Sequence, residues 1–378
     1  MEDTKAMAEF TQLSDEVKAK IRIPYALRKA PESAFASLIP LSRPYERGDV
    51  VLARVEKIGK NTGLELTTGR RSSLHVGVYM AMVFGNRYAT HQFEGYAHAN
   101  GDACDMLSMG GLCGTVTSKH ADLAEPTKLL LLGALGDKDG NPLRLENFSL
   151  PALSGDARPR TIVVCGTSMD AGKTYTTMSL IKGLSRDGAK VAGVKLTGTA
   201  AGRDLWSMVD AGACIGLDFV DGGWPSTYLC ELDELLALHR LFLAHTAAAG
   251  AEWVVIEVAD GLLQRETAAL LQSPAFTRTV DIWVLAAGEP MAASAGVARL
   301  RSWNIEPQAI SGIVSMSVLS AQEAQDATGV RCYTARELQT GVLPVETRAV
   351  ESGARGKQNK RGAPSKNGRA LGEAEAIA

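Results

Sequence analysis

The sequence predicts an α/β fold: a mostly parallel sheet with helices on both faces, preceded by a small β-rich domain of barrel or sandwich type. Three observations point there. From residue 161 onward, near-continuous apolar runs alternate with helical stretches, the pattern of a parallel sheet buried on both faces. Residues 44–150 read instead as short strands punctuated by turn residues. Where the second region begins, the run "TIVVCG" ends in a glycine loop followed by a lysine and a threonine.

Residues 1–43 read as a leader. Within it, "TQLSDEVKAKI" predicts a short helix with Ser14 as N-cap, and "PESAFASLIPLSRP" predicts extended, proline-punctuated chain. The β-rich domain over 44–150 rests on "DVVLARVEKIG", "GLELTTGRRSSLHV", "VYMAMVFGN" and "TKLLLLGALGD", with turn signals at 60–63, 68–69, 85–86 and 139–141. In its middle, "GNRYATHQFEGY" holds Arg87, Tyr88, His91 and Phe93, either as a ligand patch or as a hairpin loop with an aromatic anchor. "PALSGDARPR", 151–160, is a linker.

The α/β domain spans 161–350. Its strands are expected at 161–166, 190–196, 252–259, 281–287, 309–316 and 331–334, and its helices at 172–187, 203–214, 231–249, 263–272 and 291–302. His239 and His245 fall in the Ala/Leu-rich helix and are expected at the surface. The last segment, 351–378, has no periodicity and carries six basic residues against three acidic ones, which predicts a disordered basic tail.

Composition narrows the function classes. The chain has 378 residues, 46% hydrophobic and 22% charged, with 40 Lys plus Arg against 42 Asp plus Glu. A net charge of -2 gives no global pull toward nucleic acid or an anionic membrane. The six cysteines form no CxxC pair and no zinc-spaced cluster, so they read as reduced thiols. The N-terminus has no signal-peptide pattern, and no apolar run approaches the roughly 20 residues of a membrane helix, so a cytoplasmic location is expected.

The loop Gly166-Thr167-Ser168-Met169-Asp170-Ala171-Gly172-Lys173-Thr174 fits G-x-x-x-x-G-K-[ST] without a mismatch, between an apolar strand and a helix. Its glycines let backbone N–H groups turn toward phosphates, Lys173 reaches the β and γ phosphates, Thr174 offers a hydroxyl to Mg²⁺, and the helix N-terminus favours an anion. Glu257, at the end of "EWVVIE", is placed as a strand-tip carboxylate for Mg²⁺. Asp260 is a further carboxylate or a turn aspartate before Gly261. Lys195 ends "KVAGVK", where it neutralises an anionic substrate or the γ-phosphate, or is a surface lysine. Asp204 is a second metal ligand or a helix N-terminal aspartate. Lys173, Lys195 and Glu257 make the expected catalytic set; Thr174, Asp204 and Glu257 make the expected metal set.

The order of this loop, "VKLTGTA" with its following aspartate, and "VVIEVADG" resembles the dethiobiotin synthetase branch of P-loop proteins, a group that includes cobyrinate amidating enzymes. The resemblance covers roughly 160–345 and implies ATP on Gly166, Thr167, Gly172, Lys173 and Thr174, substrate or phosphate on Lys195, and Mg²⁺ on Asp204 and Glu257. Ser168 and Val258 depart from that pattern, which has Asp and Gly there. The segment "TGTAAGRD…LDFVDGG" is also similar to the P-loop family containing D-glutamate N-acetyltransferases.

An ATP- and Mg²⁺-dependent enzyme that activates a small anionic substrate in a ligase-like reaction is therefore expected. An N-acyltransferase using the loop for coenzyme A phosphates, and an NTPase switch or assembly factor acting on a protein partner, stand beside it. The segment 218–229, with Trp224 and Tyr228, is expected over the site as a specificity element. A homo-oligomer is expected, without membrane or nucleic-acid partners.

Overall fold

A computed structural model describes residues 10–40, 43–155, 157–341 and 343. The described residues up to Gly341 form one compact unit; a second unit begins at residue 342, and Leu343 is its sole described residue. The tail expected at 351–378 lies outside the described residues.

Ten strands precede residue 137: Thr11–Gln12 (β1), Ser37–Ile39 (β2), Val50–Lys57 (β3), Gly63–Glu65 (β4), Arg71–Ser73 (β5), Tyr79–Phe84 (β6), Phe93–Tyr96 (β7), Ala103–Met106 (β8), Leu112–Lys119 (β9) and Lys128–Gly136 (β10). The pairings β3–β6, β6–β9, β9–β8, β8–β10 and β10–β3 close a five-membered ring, and β4 pairs with β5. Side chains alternate along a strand with period two, and β3 uses both faces. Val51, Ala53 and Val55 fall in a buried cluster with Met80, Met82, Phe84, Met106 and Leu129. Val50 and Leu52 fall in another, with Ala81, Val83, Val163 and Val194. That second cluster continues without a break into the α/β layer.

Residues 10–40, read from sequence as a leader, are part of this unit. β1 pairs with β2, β2 pairs with β10, and Tyr25, Ala26 and Leu27 are fully buried. The local signals here, an N-cap and proline punctuation, do not report tertiary burial. One short helix, Asp15–Lys18 (α1), forms with Ser14 as N-cap.

From residue 160 on, six strands make a fully parallel sheet: Arg160–Gly166 (β11), Val191–Lys195 (β12), Ile215–Asp218 (β13), Trp253–Glu257 (β14), Ile282–Ala286 (β15) and Ala309–Ser311 (β16). Their order is β13-β12-β14-β11-β15-β16. Helices alternate with them: Lys173–Arg186 (α2), Arg203–Asp210 (α3), Leu232–Ala248 (α4), Arg265–Gln272 (α5), Pro274–Thr277 (α6), Pro290–Ser302 (α7), Val318–Thr328 (α8) and Ala335–Leu338 (α9). β13 and α8 were not legible in the sequence. The strand expected at 309–316 stops at Ser311, because Gly312 at φ 93° turns the chain into a 3-10 helix. The strand expected at 331–334 reduces to one bridge between Ile310 and Cys332.

His239 was expected at the surface and is instead 1% exposed. It packs edge-on against Phe276 at 4.7 Å, and its Nε2 lies 2.9 Å from the Thr279 hydroxyl. All six cysteines are free, and all but Cys214 are buried. Among the described residues no helix is long and apolar enough to cross a membrane.

Candidate functional site

The centre of the parallel sheet fixes the site. β11 runs between β14 and β15, and the loop after it opens where those strands end. This is the carboxyl edge, where ligands sit in open α/β sheets. Register then sets two strand-tip side chains side by side: Lys195 of β12 is the direct partner of Glu257 of β14, which in turn faces Val164 of β11.

The loop 166–174 turns tightly. Gly172, with φ 94°, caps α2, and a Cβ there would lie 2.8 Å from the Gly312 Cα. Asp170 adopts φ 62°, the left-handed conformation that short polar side chains tolerate best after glycine. Lys173 folds back across the loop: its Nζ donates to the Ser168 and Asp260 carbonyls, each at 2.7 Å. Lys173 is 6% exposed, and burial lowers its pKa while Glu257 and Asp260 oppose that shift. The N–H groups of the first turn of α2 have no intrahelical acceptor and lie at the positive helix end.

The Thr174 hydroxyl donates to Glu257 Oε1 at 3.0 Å. Glu257 is 2% exposed, and its second oxygen, Oε2, is buried with no partner. Lys195 Nζ lies 3.8 Å from Oε1 and is ion-paired with Asp204. Asp204 therefore reaches Glu257 through Lys195, rather than standing as an isolated carboxylate. Among the described residues no cluster of three or more His, Cys, Asp or Glu side chains could hold a metal alone. A phosphate-bound Mg²⁺ takes only one or two protein oxygens, the rest being phosphates and waters. The Thr174 hydroxyl and the unpartnered Glu257 oxygen fit that need.

These groups line a cavity of about 450 Å³ with Met169, Asp170, Tyr175, Thr199, Arg203 and Asp260. Its far wall comes from the other sheet: Arg87, Tyr88, Ala89 and Gln92, on the β6–β7 connection. His91 Nδ1 lies 3.0 Å from Asp170 Oδ2 and ties that connection to the loop. Of the four residues singled out in this segment, Arg87 and Tyr88 line the cavity and His91 braces it. Phe93 is fully buried in β7 and takes no part. Gln92 and Arg203 carried no signal in the sequence.

The segment 218–229 is placed differently from the expectation. Asp218 and Asp221 are buried in ion pairs with Arg28. Trp224 lies under the Arg47 guanidinium, 4.2 Å from its ring centroid, and lines a separate cavity. Tyr228 touches the site only indirectly, through its packing on Tyr88 at 5.5 Å.

Burial pushes the Asp260 carboxyl up to about 6, while Lys173 and Lys195 pull it down. A raised carboxyl pKa means that the folded state holds the proton more tightly than the unfolded chain. The associated stability is present below the unfolded value of 3.8 and is lost as pH rises through about 6. Asp260→Asn keeps the side-chain size and tolerates the φ of 62°. Without nucleotide, its unfolding free energy from urea titration should gain on wild type between pH 4 and pH 7, by an amount on the order of 2 kcal/mol. An equal difference at both pH values would refute this.

A strand, a G-x-x-x-x-G-K-T loop and a helix at the centre of a parallel sheet define the P-loop class. No protein-family model matches the chain, and no curated protein matches it. Similar solved structures include a signal recognition particle 54 kDa protein from Aeropyrum pernix K1 in complex with GDP, 19% identical over 57% of this chain and 53% of that one, with a TM-score of 0.35. A signal recognition particle receptor FtsY from Elizabethkingia anophelis is 15% identical over 50% and 66%, with a TM-score of 0.33. The cell division protein FtsY from Thermotoga maritima is 14% identical over 53% and 73%, with a TM-score of 0.34. The chain thus spans about half the length of the first of these.

Proposed function

We propose that the chain is an ATP- and Mg²⁺-dependent P-loop enzyme that transfers the γ-phosphoryl group to a small anionic acceptor. The observation that carries this reading is the Thr174–Glu257 pair at the foot of the loop, with the second Glu257 carboxylate oxygen buried and left unpartnered. Coenzyme A needs no metal, so a preformed Mg²⁺ pair favours a nucleoside triphosphate. The order of loop, Lys195 and Glu257 resembles dethiobiotin synthetases, and ATP is the nucleotide that resemblance implies.

In this reading the loop amides and Lys173 hold the β and γ phosphates, and Thr174 and Glu257 hold Mg²⁺. The ion, when bound, offsets charge on the phosphate oxygens. Lys195, steered by Asp204, faces the same space and stabilises charge on the transferred group. An acceptor oxygen forms the new bond to the γ phosphorus, and the bridging β–γ bond breaks with its electron pair leaving on ADP.

A second reading, a nucleotide-dependent switch acting on a protein partner, has one observation in its favour. Met316, Val318 and Leu319 are 82%, 86% and 76% exposed, a few residues beyond Gly312, which abuts the loop. Calorimetric titration with ATP, GTP and coenzyme A, each with and without Mg²⁺, tests the main reading. Mg²⁺-dependent ATP binding is the expected result. Metal-independent coenzyme A binding without an ATP signal overturns both nucleotide readings. Phosphate release driven by small acids, rather than by a protein, then separates the enzyme from the switch.

A further inference from the structure

We propose that Arg87 is the anchor for a carboxylate of the acceptor, and that the acceptor is a small carboxylic acid held between the β6–β7 connection and the phosphate loop. This rests on the reading above and names the substrate class for the same site.

The surroundings of Arg87 are the first argument. The other arginine held this deep at a joint of the fold has carboxylates: Arg28, its side chain 6% exposed, pairs with Asp218 and Asp221. Arg87 is 8% exposed, yet among the described residues no carboxylate lies within ion-pair distance of it. Its guanidinium donates to two neutral oxygens, the Leu107 carbonyl and Gln92 Oε1, the latter at 2.8 Å, and its Nε has no partner. Burial pulls its pKa down to about 10, so it remains cationic at neutral pH. A buried cation without a counter-charge is costly to keep. Here it stands at the wall of a cavity, where an incoming anion supplies that charge.

Position is the second argument. The backbone of Arg87 is locked to Gly95 by two hydrogen bonds, at 2.8 and 3.1 Å. The same connection is fastened to the loop by His91 and Asp170. Tyr88 and Gln92 line the cavity beside it. The donors of Arg87 are thus fixed relative to the P-loop before any ligand arrives, and a planar guanidinium fork suits a carboxylate. The triphosphate already has Lys173 and the loop amides on the opposite wall. Arg87 comes from the other sheet and is free for the second substrate.

The test is steady-state phosphate release from Mg²⁺–ATP by the full chain, with succinate or glutarate against their neutral diamides. The acids should stimulate and the diamides should not. In Arg87→Gln the half-saturating acid concentration should rise about tenfold to a hundredfold, as expected for losing a charge-assisted pair, with the ATP constant unchanged. Arg87→Lys should recover part of the loss. Acids no better than diamides, or a shift in the ATP constant instead of the acid constant, overturn the proposal. Mg²⁺–ATP binding by each variant reports folding. Should Arg87→Gln fail that check, Gln92→Ala removes the side chain that orients the guanidinium. It must then raise the acid constant, and an unchanged constant counts against the anchor. Absence of ATP binding by the unmodified chain would defeat the nucleotide reading itself, and is distinguishable from intact ATP binding without an acid response.

Discussion

Lys173→Ala should weaken Mg²⁺–ATP binding by at least about a hundredfold, the effect expected when a charge-assisted contact to phosphate is lost from a largely buried site. The geometry explains the size. An ammonium has three donors. Two of them are occupied by the Ser168 and Asp260 carbonyls, so the side chain is held across the loop before any phosphate arrives. The third is available to a ligand, and little rotamer freedom remains to be lost on binding. Burial lowers the pKa of Lys173 by disfavouring its charged form, and phosphate oxygens reverse that by pairing with it. Calorimetry with wild type and variant measures the loss. Urea midpoints without nucleotide supply the control, since Asp260 lines the cavity and Ser168 is exposed, so that both carbonyls can bond water instead. ATP affinity within threefold of wild type would show that the loop does not bind phosphate through Lys173.

The parts of this site that were legible in the sequence are those with short-range logic. The loop and its strand–helix setting span a few residues, and the strand-tip places of Lys195 and Glu257 follow from where apolar runs end. The remainder is long-range. Arg87 borders the loop only because the β6–β7 connection crosses to it from another sheet, and its carbonyl partner lies on Leu107. Nothing near Arg87 in sequence announces either fact. β13 was missed because its residues Ile215–Asp218 are few, half-exposed at the start, and include a glycine. α8 was missed for a different reason: it buries only Ala324 and Thr328, so it has no apolar stripe to detect. His239 misled because α4 packs on more than one side, burying Leu235, Leu236, Leu238 and Phe242 around it. The apparent leader carries Tyr25 and Arg28, whose partners lie some 190 residues away.

That distant pairing should be the most sensitive point of stability in the described structure. The Arg28 guanidinium donates to Asp218 Oδ1 at 2.8 Å and lies 2.6 Å from Asp221 Oδ2, with side-chain exposures of 6%, 1% and 1% for the three residues. Tyr25 adds its hydroxyl to Asp218 Oδ2 at 2.6 Å, and its ring lies 4.2 Å beneath the guanidinium. Asp218 also caps the turn that follows β13, accepting from Val220 N. Arg28→Ala leaves two buried carboxylates facing each other, with only the half-exposed Lys29 ammonium, 3.8 Å from Asp221 Oδ1, still near them. Breaking such a pair costs about 3–5 kcal/mol, because the remaining charge stays buried. A loss of that size at pH 7 is the expected result, read from urea midpoints. The loss should also depend on pH. Burial raises the Asp221 pKa, with Asp218 adding to the shift and Arg28 opposing it. Removing Arg28 must raise it further, so the folded variant takes up protons more readily than its unfolded chain, and its stability recovers as pH falls. The deficit should therefore be largest near pH 7–8 and smaller near pH 5. A deficit below about 1 kcal/mol at pH 7, or one that does not change with pH, would mean that water or other donors replace Arg28. Asp221 would then not depend on it for its charge.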